Sequence, residues 1–133
     1  MNETAKEVYR LAAQGHCCSQ IMIQMGLDAR QDENPELVNA VAGLCGGLYS
    51  GLVCGTLTGA ACLLSLYDRQ AAKSMIPRLV EWFRTTYDAS CGGINCEDII
   101  DNNPQNRLER CPKIMIETYE KCRELLAEIG YKI

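Results

Sequence analysis

A long uncharged segment constrains the fold of this chain more than any other feature of its sequence. No Asp, Glu, Lys or Arg occurs between residues 37 and 67, although charged residues make up 23% of the 133-residue chain. A segment of this length could span a membrane, but six glycines interrupt it and no basic cluster flanks it. We therefore expect no membrane span. We expect two buried helices that meet near residues 49–53, inside the core of one domain covering residues 1–133.

Several glycines of this segment recur at intervals of four: Gly43, Gly47, Gly51, Gly55 and Gly59. On a helix this spacing puts small residues on one face and lets another backbone approach closely. The pattern predicts tight helix packing. The functional alternative is that backbone N–H groups reach a bound cluster or substrate where side chains are missing. The same uncharged segment could also supply the interface of a homodimer.

The rest of the chain shows the 3.6-residue period of amphipathic helices. Such patterns occur at residues 3–14, 70–88 and 111–129. Asn34 followed by Pro35 is typical of a helix start, and Cys111-Pro112 is expected to open the last helix after a polar loop at residues 101–110. No strand alternation is convincing. The predicted fold class is therefore all-α, a compact bundle of five to six helices.

Charge and composition exclude several functions. The net charge of −4, with Lys and Arg scattered singly, argues against a nucleic-acid-binding surface. The first residues lack the apolar run of a secretory signal, so we expect a cytoplasmic protein. The chain has nine cysteines but only His16 as an imidazole, which excludes catalytic metal sites that need two or three histidines. In a reducing compartment the cysteines are expected to be metal ligands or working thiols rather than a disulfide framework.

The cysteines fall into classes by their predicted positions. Cys62 and Cys122 lie on apolar helical stretches and are expected to be small buried side chains. Four others lie at predicted helix N-termini: Cys18, Cys54, Cys96 and Cys111. A helix N-terminus presents unpaired N–H groups and partial positive charge, which stabilise a thiolate. Since no C-x-x-C occurs, thioredoxin-type motifs and common zinc fingers are excluded.

The same four cysteines, in this order, resemble the signatures of the C_GCAxxG_C_C family of redox-active proteins. The matching segments are Gly-His-Cys-Cys-Ser-Gln at residues 15–20, Cys-Gly-Thr-Leu-Thr-Gly at residues 54–59, Cys96, and Cys111 before a proline. Thr56 replaces the usual alanine. The resemblance implies an all-helical domain that acts through its cysteines, similar to the cluster-binding domain of split-Soret cytochromes. A C-x-x-C-H haem site is absent, so the haem-binding part does not carry over.

Residues and resemblance together give two redox hypotheses. In the first, Cys18, Cys54, Cys96 and Cys111 ligate an iron–sulfur cluster, most simply of the 2Fe–2S type, that passes electrons to a redox partner protein. In the second, these cysteines cycle between thiol and disulfide, with Cys54 and Cys18 as the catalytic thiols. Cys45 and Cys91 are the candidate replacements if one of the four cysteines lies far from the other three. Backbone N–H groups near three glycines would tune the potential: Gly55, Gly92 and Gly93.

Two other classes of function stay open from the sequence. A structural zinc site would use the same four thiolates without any electron transfer. A binding module would use the glycine-lined groove for a small anion or a partner helix. His16, after a helix-ending glycine, is expected to be a solvated loop residue rather than a base or a ligand.

Overall fold

The computed structural model describes residues 2–133, which form a bundle of seven α-helices. These are α1 (Glu3–Ala13), α2 (Cys18–Ala29), α3 (Pro35–Val41), α4 (Gly55–Tyr67), α5 (Arg69–Cys91), α6 (Cys96–Ile100) and α7 (Pro104–Glu128). No strand occurs among residues 2–133, where a single isolated antiparallel bridge joins Val53 and Asn95. The all-α class predicted from the sequence is confirmed, with seven helices rather than five to six.

Side-chain caps explain where several helices begin. The Asn2 side chain accepts the Ala5 N–H at 2.8 Å at the start of α1. The Asn34 side chain accepts the Leu37 N–H at 3.1 Å at the start of α3, where Pro35 fills the first position as predicted. Each cap satisfies an N–H that has no partner within its own helix.

The predicted start of the last helix at Cys111 is wrong. Helix α7 begins at Pro104, where the Asn103 side chain accepts the Gln105 N–H at 3.1 Å. This Asn-Pro pair is the same start signal as the one before α3, and the polar composition of the segment concealed it. Pro112 lies inside the helix, where it lacks the N–H for one helical hydrogen bond. Cys111 is therefore in the interior of α7, not at an N-terminus.

The uncharged segment forms two helices separated by a long irregular connection. Helix α3 ends at Val41, a short 3₁₀ turn covers Ala42–Leu44, and α4 begins only at Gly55. The expected junction at residues 49–53 thus lies within a loop that is longer than predicted. In the part of the chain from residue 2 to residue 133, no helix has the length and apolar character needed to cross a membrane.

The interval of four between glycines reflects one helical face only in α4. Gly47 and Gly51 lie in the loop with positive φ angles, so they share no helical face with the α4 glycines. Gly55 and Gly59 do lie on one face and contact α2. A Cβ on Gly59 would lie 2.7 Å from the Ser19 Cα, so this glycine permits the close approach of two backbones.

The core lies between α2, α4, α5 and α7. Its fully buried large side chains include Ile21, Met22, Leu63, Leu64, Leu79, Phe83, Leu125 and Leu126. Beyond this dry core, the first residues of α2, α4 and α6 gather at one end of the bundle. We call this region the cysteine end.

Candidate functional site

A cavity of about 510 Å³ opens at the cysteine end, and all four cysteines singled out from the sequence line it. Cys18 is the first residue of α2, Cys54 caps α4, Cys96 is the first residue of α6, and Cys111 comes from the interior of α7. Most other lining residues are apolar: Ile21, Ile99, Ile100, Ile114 and Met115 among them. The fold therefore brings four cysteines from four helices to one apolar cavity.

Backbone pairing places Cys54 beside Cys96. The Cys54 N–H donates to the Ile94 carbonyl at 3.0 Å, and the Cys96 N–H donates to the Leu52 carbonyl at 2.6 Å. These bonds flank the bridge between Val53 and Asn95 and hold the starts of α4 and α6 side by side. Two cysteines that are remote in sequence thus enter the cavity from one rigid connection.

Gly55 controls how closely α4 approaches Cys18. A Cβ on Gly55 would lie 2.7 Å from Cys18 Sγ and 3.0 Å from the Leu44 carbonyl oxygen. Gly55 is therefore next to a sulfur, where the sequence placed it, and its missing side chain makes room for that sulfur. Gly92 and Gly93 do not line the cavity. Gly92 follows Cys91, the last residue of α5, and a Cβ there would meet no atom within 4 Å. A Cβ on Gly93 would meet the carboxylate of Asp98.

Cys17 and Cys45 form a disulfide, with their Cα atoms 6.2 Å apart, and both line the cavity. The sequence left Cys17 unassigned and offered Cys45 as a substitute ligand, whereas in this structure its sulfur is already bonded. The pairing depends on the loop after α3 folding back onto the start of α2, and no spacing rule predicts that. Cys91, the other substitute, ends α5 and is not among the cavity-lining residues.

Burial sets the acidity of the cavity thiols. It raises the pKa of Cys54 to about 12, with a further increase from the charge of Cys18. Burial also raises the pKa of Cys111 to about 11; Arg107 lowers it, and Cys18, Cys96 and Cys91 raise it further. The thiols of Cys54, Cys96 and Cys111 are thus close enough to Cys18 for their charges to interact with it. The thiols of Cys54 and Cys111 are protonated at neutral pH.

The pKa of Cys18 shows why its position at a helix start does not make it acidic. Burial raises this pKa, while hydrogen bonds from the Gly46 and Ser19 backbone and from the Thr56 side chain lower it. Desolvation is the largest contribution, so the net shift is upward. The expectation of a low-pKa thiolate at this helix start is therefore wrong, because the helix start is buried.

The remaining free cysteines lie away from the cavity. Cys122 is fully buried in the core, where its Sγ lies 3.9 Å from the Ala60 carbonyl. Cys62 is half-buried on α4 and packs against the same core. Burial raises the pKa of both thiols, and that of Cys122 reaches about 12.

The cavity mouth is apolar and exposed. Tyr49 is 74% exposed, Leu108 is 70% exposed, and both line the cavity with Tyr9. Arg107 supplies a positive charge there. His16 also lines the cavity and is partly buried, with its Nδ1 enclosed and without a hydrogen-bond partner, so it is less solvated than its loop position suggested.

The structure is thus that of a small all-helical domain in which thiols from separate helices line one cavity. The chain belongs to the C_GCAxxG_C_C family. The family model described as "Putative redox-active protein (C_GCAxxG_C_C)" matches residues 16–125. No curated protein and no solved structure matches this chain. The resemblance inferred from the cysteine motifs is confirmed at the level of the family.

Proposed function

We propose that this protein is a small electron carrier in which four cysteines ligate an iron–sulfur cluster: Cys18, Cys54, Cys96 and Cys111. The observation that carries the proposal is that these four thiols, each from a different helix, line one cavity. Membership in a redox-active family agrees with it. The electrons would pass to and from a redox partner protein.

The chemistry of the donor set fits such a cluster. Cysteine thiolates are the usual ligands of iron–sulfur clusters. Among residues 2–133, no three His, Cys, Asp or Glu side chains are grouped closely enough to hold one metal ion. The four thiols line a cavity of about 510 Å³. When bound, the cluster would supply one-electron redox chemistry.

The protonation of the thiols bears on both redox hypotheses, because exchange and ligation each require a thiolate. Nucleophilic exchange requires a thiolate, and the high pKa of Cys54, about 12, leaves little of it at neutral pH. A bound iron–sulfur group would offset the negative charges that burial disfavours. Each ligating cysteine would release its proton, so cluster binding would weaken as the pH falls.

Hydrogen-bond donors next to Cys18 would tune the potential. The backbone of Gly46 and Ser19 and the side chain of Thr56 lower the pKa of the Cys18 thiol. Donors to a ligating sulfur stabilise its negative charge and so raise the reduction potential. The apolar walls of the cavity would limit water around the site.

Anaerobic purification followed by iron, sulfide and zinc analysis tests the proposal. We expect a coloured protein that contains iron and acid-labile sulfide in equal amounts. Single Cys→Ser substitutions at the four ligand positions should each lower the iron content and change the visible spectrum. Cys62→Ser is the matched control, because this thiol lies on α4 outside the cavity, and it should leave the iron content unchanged.

Other outcomes separate the alternatives. Colourless protein that is free of iron and holds one zinc ion would overturn the cluster proposal in favour of a structural zinc site. Metal-free protein whose four cysteines convert reversibly between thiols and disulfides would favour the thiol–disulfide hypothesis.

A further inference from the structure

The disulfide between Cys17 and Cys45 uses none of the four proposed ligands, although it lines the same cavity. Its two sulfurs belong to residues that differ in access. Cys45 is 3% exposed, whereas Cys17, at the cap position of α2, is only partly buried. A thiol reductant approaching from solvent would therefore attack the sulfur of Cys17 and leave Cys45 as the enclosed leaving group.

A buried hydroxyl lies next to that leaving group. Ser19 Oγ is 2.9 Å from Cys45 Sγ and at present donates its hydrogen bond to the Val41 carbonyl at 2.6 Å. If the hydroxyl rotated, it would donate to a thiolate on Cys45, and hydrogen bonds to a charged acceptor are the stronger kind. The negative charge that forms when the disulfide breaks thus has a donor already in place.

The chain that follows Cys45 is held in an unusual conformation. Residues 46–49 all have positive φ angles, between 53° and 63°, and two of these residues are Leu48 and Tyr49. Such a backbone is unfavourable for residues with side chains and persists only where the surroundings enforce it. The side chains of Leu48 and Tyr49 are 54% and 74% exposed, so their own packing does not hold the loop.

The loop is attached at both ends, and Gly51 near its second end also packs against Glu97 of α6. The disulfide fixes its first end at Cys45, and the bridge between Val53 and Asn95 fixes its second end. Within these limits, Gly46 and Tyr49 line the same cavity as Cys18. Access to Cys18 is therefore linked to the conformation of the loop, and one attachment of the loop is a bond that can be reduced.

We propose that the Cys17–Cys45 disulfide is a second redox centre, that a dithiol reduces it, and that its reduction releases residues 46–52 from the cavity and exposes Cys18. A thiolate of the reductant attacks Cys17 Sγ, the S–S bond breaks, and its electron pair goes to Cys45, which then takes a proton. The second thiol of the reductant resolves the mixed disulfide and releases Cys17 as a thiol. In total the disulfide gains two electrons and two protons, and the dithiol loses them in becoming a disulfide.

Hydrogen exchange measured by mass spectrometry tests this proposal in the protein as purified and again after metal removal by a chelator. Reduction with dithiothreitol should increase amide exchange in residues 47–52 by about tenfold or more, as local opening does. Cys17→Ser should give the same increase without any reductant. Exchange in the core parts of α4 and α7 should stay unchanged. Cys62→Ser, which keeps the disulfide, should match the wild-type protein.

Alkylation of the chelated protein gives a second measurement. Cys18 should react with iodoacetamide about tenfold faster after reduction, since the loop no longer covers it. Unchanged exchange in residues 47–52 after complete reduction would overturn the proposal, as would isolation of Cys17 and Cys45 as free thiols without reductant. If Cys17→Ser does not fold, reduction of the wild-type protein decides the question. Absence of iron would overturn the cluster proposal and leave this result standing.

Discussion

The two ends of the interface between helices α2 and α4 differ in chemistry. At the cysteine end, Gly55 lies against Cys18 Sγ and the Leu44 carbonyl oxygen. At the far end, a Cβ on Gly26 of α2 would lie 3.0 Å from both Cδ1 and Cγ of Leu63. In the middle, Gly59 lies against the backbone of Ser19. One helix pair thus uses glycine to approach a sulfur, a backbone and a flexible apolar side chain.

The difference shows that a shared spacing can serve separate purposes. A backbone neighbour cannot move without moving its helix, whereas a leucine side chain can change rotamer. A Cβ added beside a sulfur should cost less stability than one beside a backbone and more than one beside a leucine side chain. Because that sulfur belongs to Cys18, the added Cβ would also disturb the site. Substituting each glycine by alanine therefore separates packing from function along one interface.

Gly59→Ala should have the largest effect on stability. Its Cβ would lie 2.7 Å from the Ser19 Cα, so α4 must move away from α2. We expect the free energy of unfolding to fall by about 2 kcal/mol, the usual range for overpacking, even after the gain in helix propensity. Urea denaturation followed by circular dichroism measures the change. Gly43→Ala is the control, because a Cβ there meets nothing within 4 Å. Equal stability of the two variants would contradict this account of the interface.

Gly55→Ala should have a smaller effect on stability, about 1 kcal/mol, and a large effect on the site. The new Cβ would displace Cys18 Sγ, which lies 2.7 Å from its position. We expect lower iron content per protein and a changed visible spectrum in anaerobically purified protein. The variant to compare is Gly26→Ala, whose new Cβ meets the Leu63 side chain away from the cavity and which should keep its iron. Full iron content in Gly55→Ala would show that Cys18 is not held by this contact.

Gly26→Ala should change the stability least of the three glycine variants. The Leu63 side chain must shift by a few tenths of an ångström, and alanine adds helix propensity in the interior of α2. These opposing contributions should leave the free energy of unfolding within about 0.5 kcal/mol of the wild-type value. The same urea titration measures it. A loss as large as that of Gly59→Ala would mean that the far end of the interface is as rigid as its middle.

The smallest effect on stability should come from an ion pair between α5 and α7, and only the pH dependence of unfolding should show it. Arg78 of α5 donates two hydrogen bonds to Glu128 of α7, at 2.9 and 3.0 Å, and this pairing lowers the pKa of Glu128. The pair therefore stabilises the fold above the ordinary carboxyl pKa, and this contribution is lost as the pH falls through the lowered value.

Thermal unfolding between pH 3 and pH 7 checks this expectation. The unfolding temperature of Glu128→Gln should fall less between pH 7 and pH 3 than that of the wild-type protein, because the variant has no ion pair to lose. Its iron content at pH 7 should equal that of the wild type. A wild-type acid profile in Glu128→Gln would show that the pair contributes nothing measurable.

Much of the fold could be predicted from the sequence, because helix periodicity and capping are local. Asn34-Pro35 marked α3 correctly, and Asn103-Pro104 carried the same signal for α7 within a segment whose polarity suggested a loop. The irregular loop could not be predicted, since the positive φ angles of Leu48 and Tyr49 are imposed by distant attachments. Leucine and tyrosine prefer negative φ angles, so the sequence around them does not indicate this conformation.

The site shows the same division. Cys18, Cys54 and Cys96 were placed correctly at helix starts, since caps and first-turn residues are visible in the sequence. Cys111 was also expected at a helix start, which is wrong, but it reaches the cavity from the interior of α7. The disulfide and the high pKa values depend on tertiary packing, which no spacing between cysteines encodes.

That the four proposed ligands come from four helices has a thermodynamic consequence. No two of them lie on the same helix, so an unfolded chain offers no preformed part of the site. Any group that the four thiols hold would bind the native state alone, and its binding free energy would add to the stability of the whole bundle. Loss of that group would then lower the unfolding temperature, and a chain that had not yet folded could not acquire it.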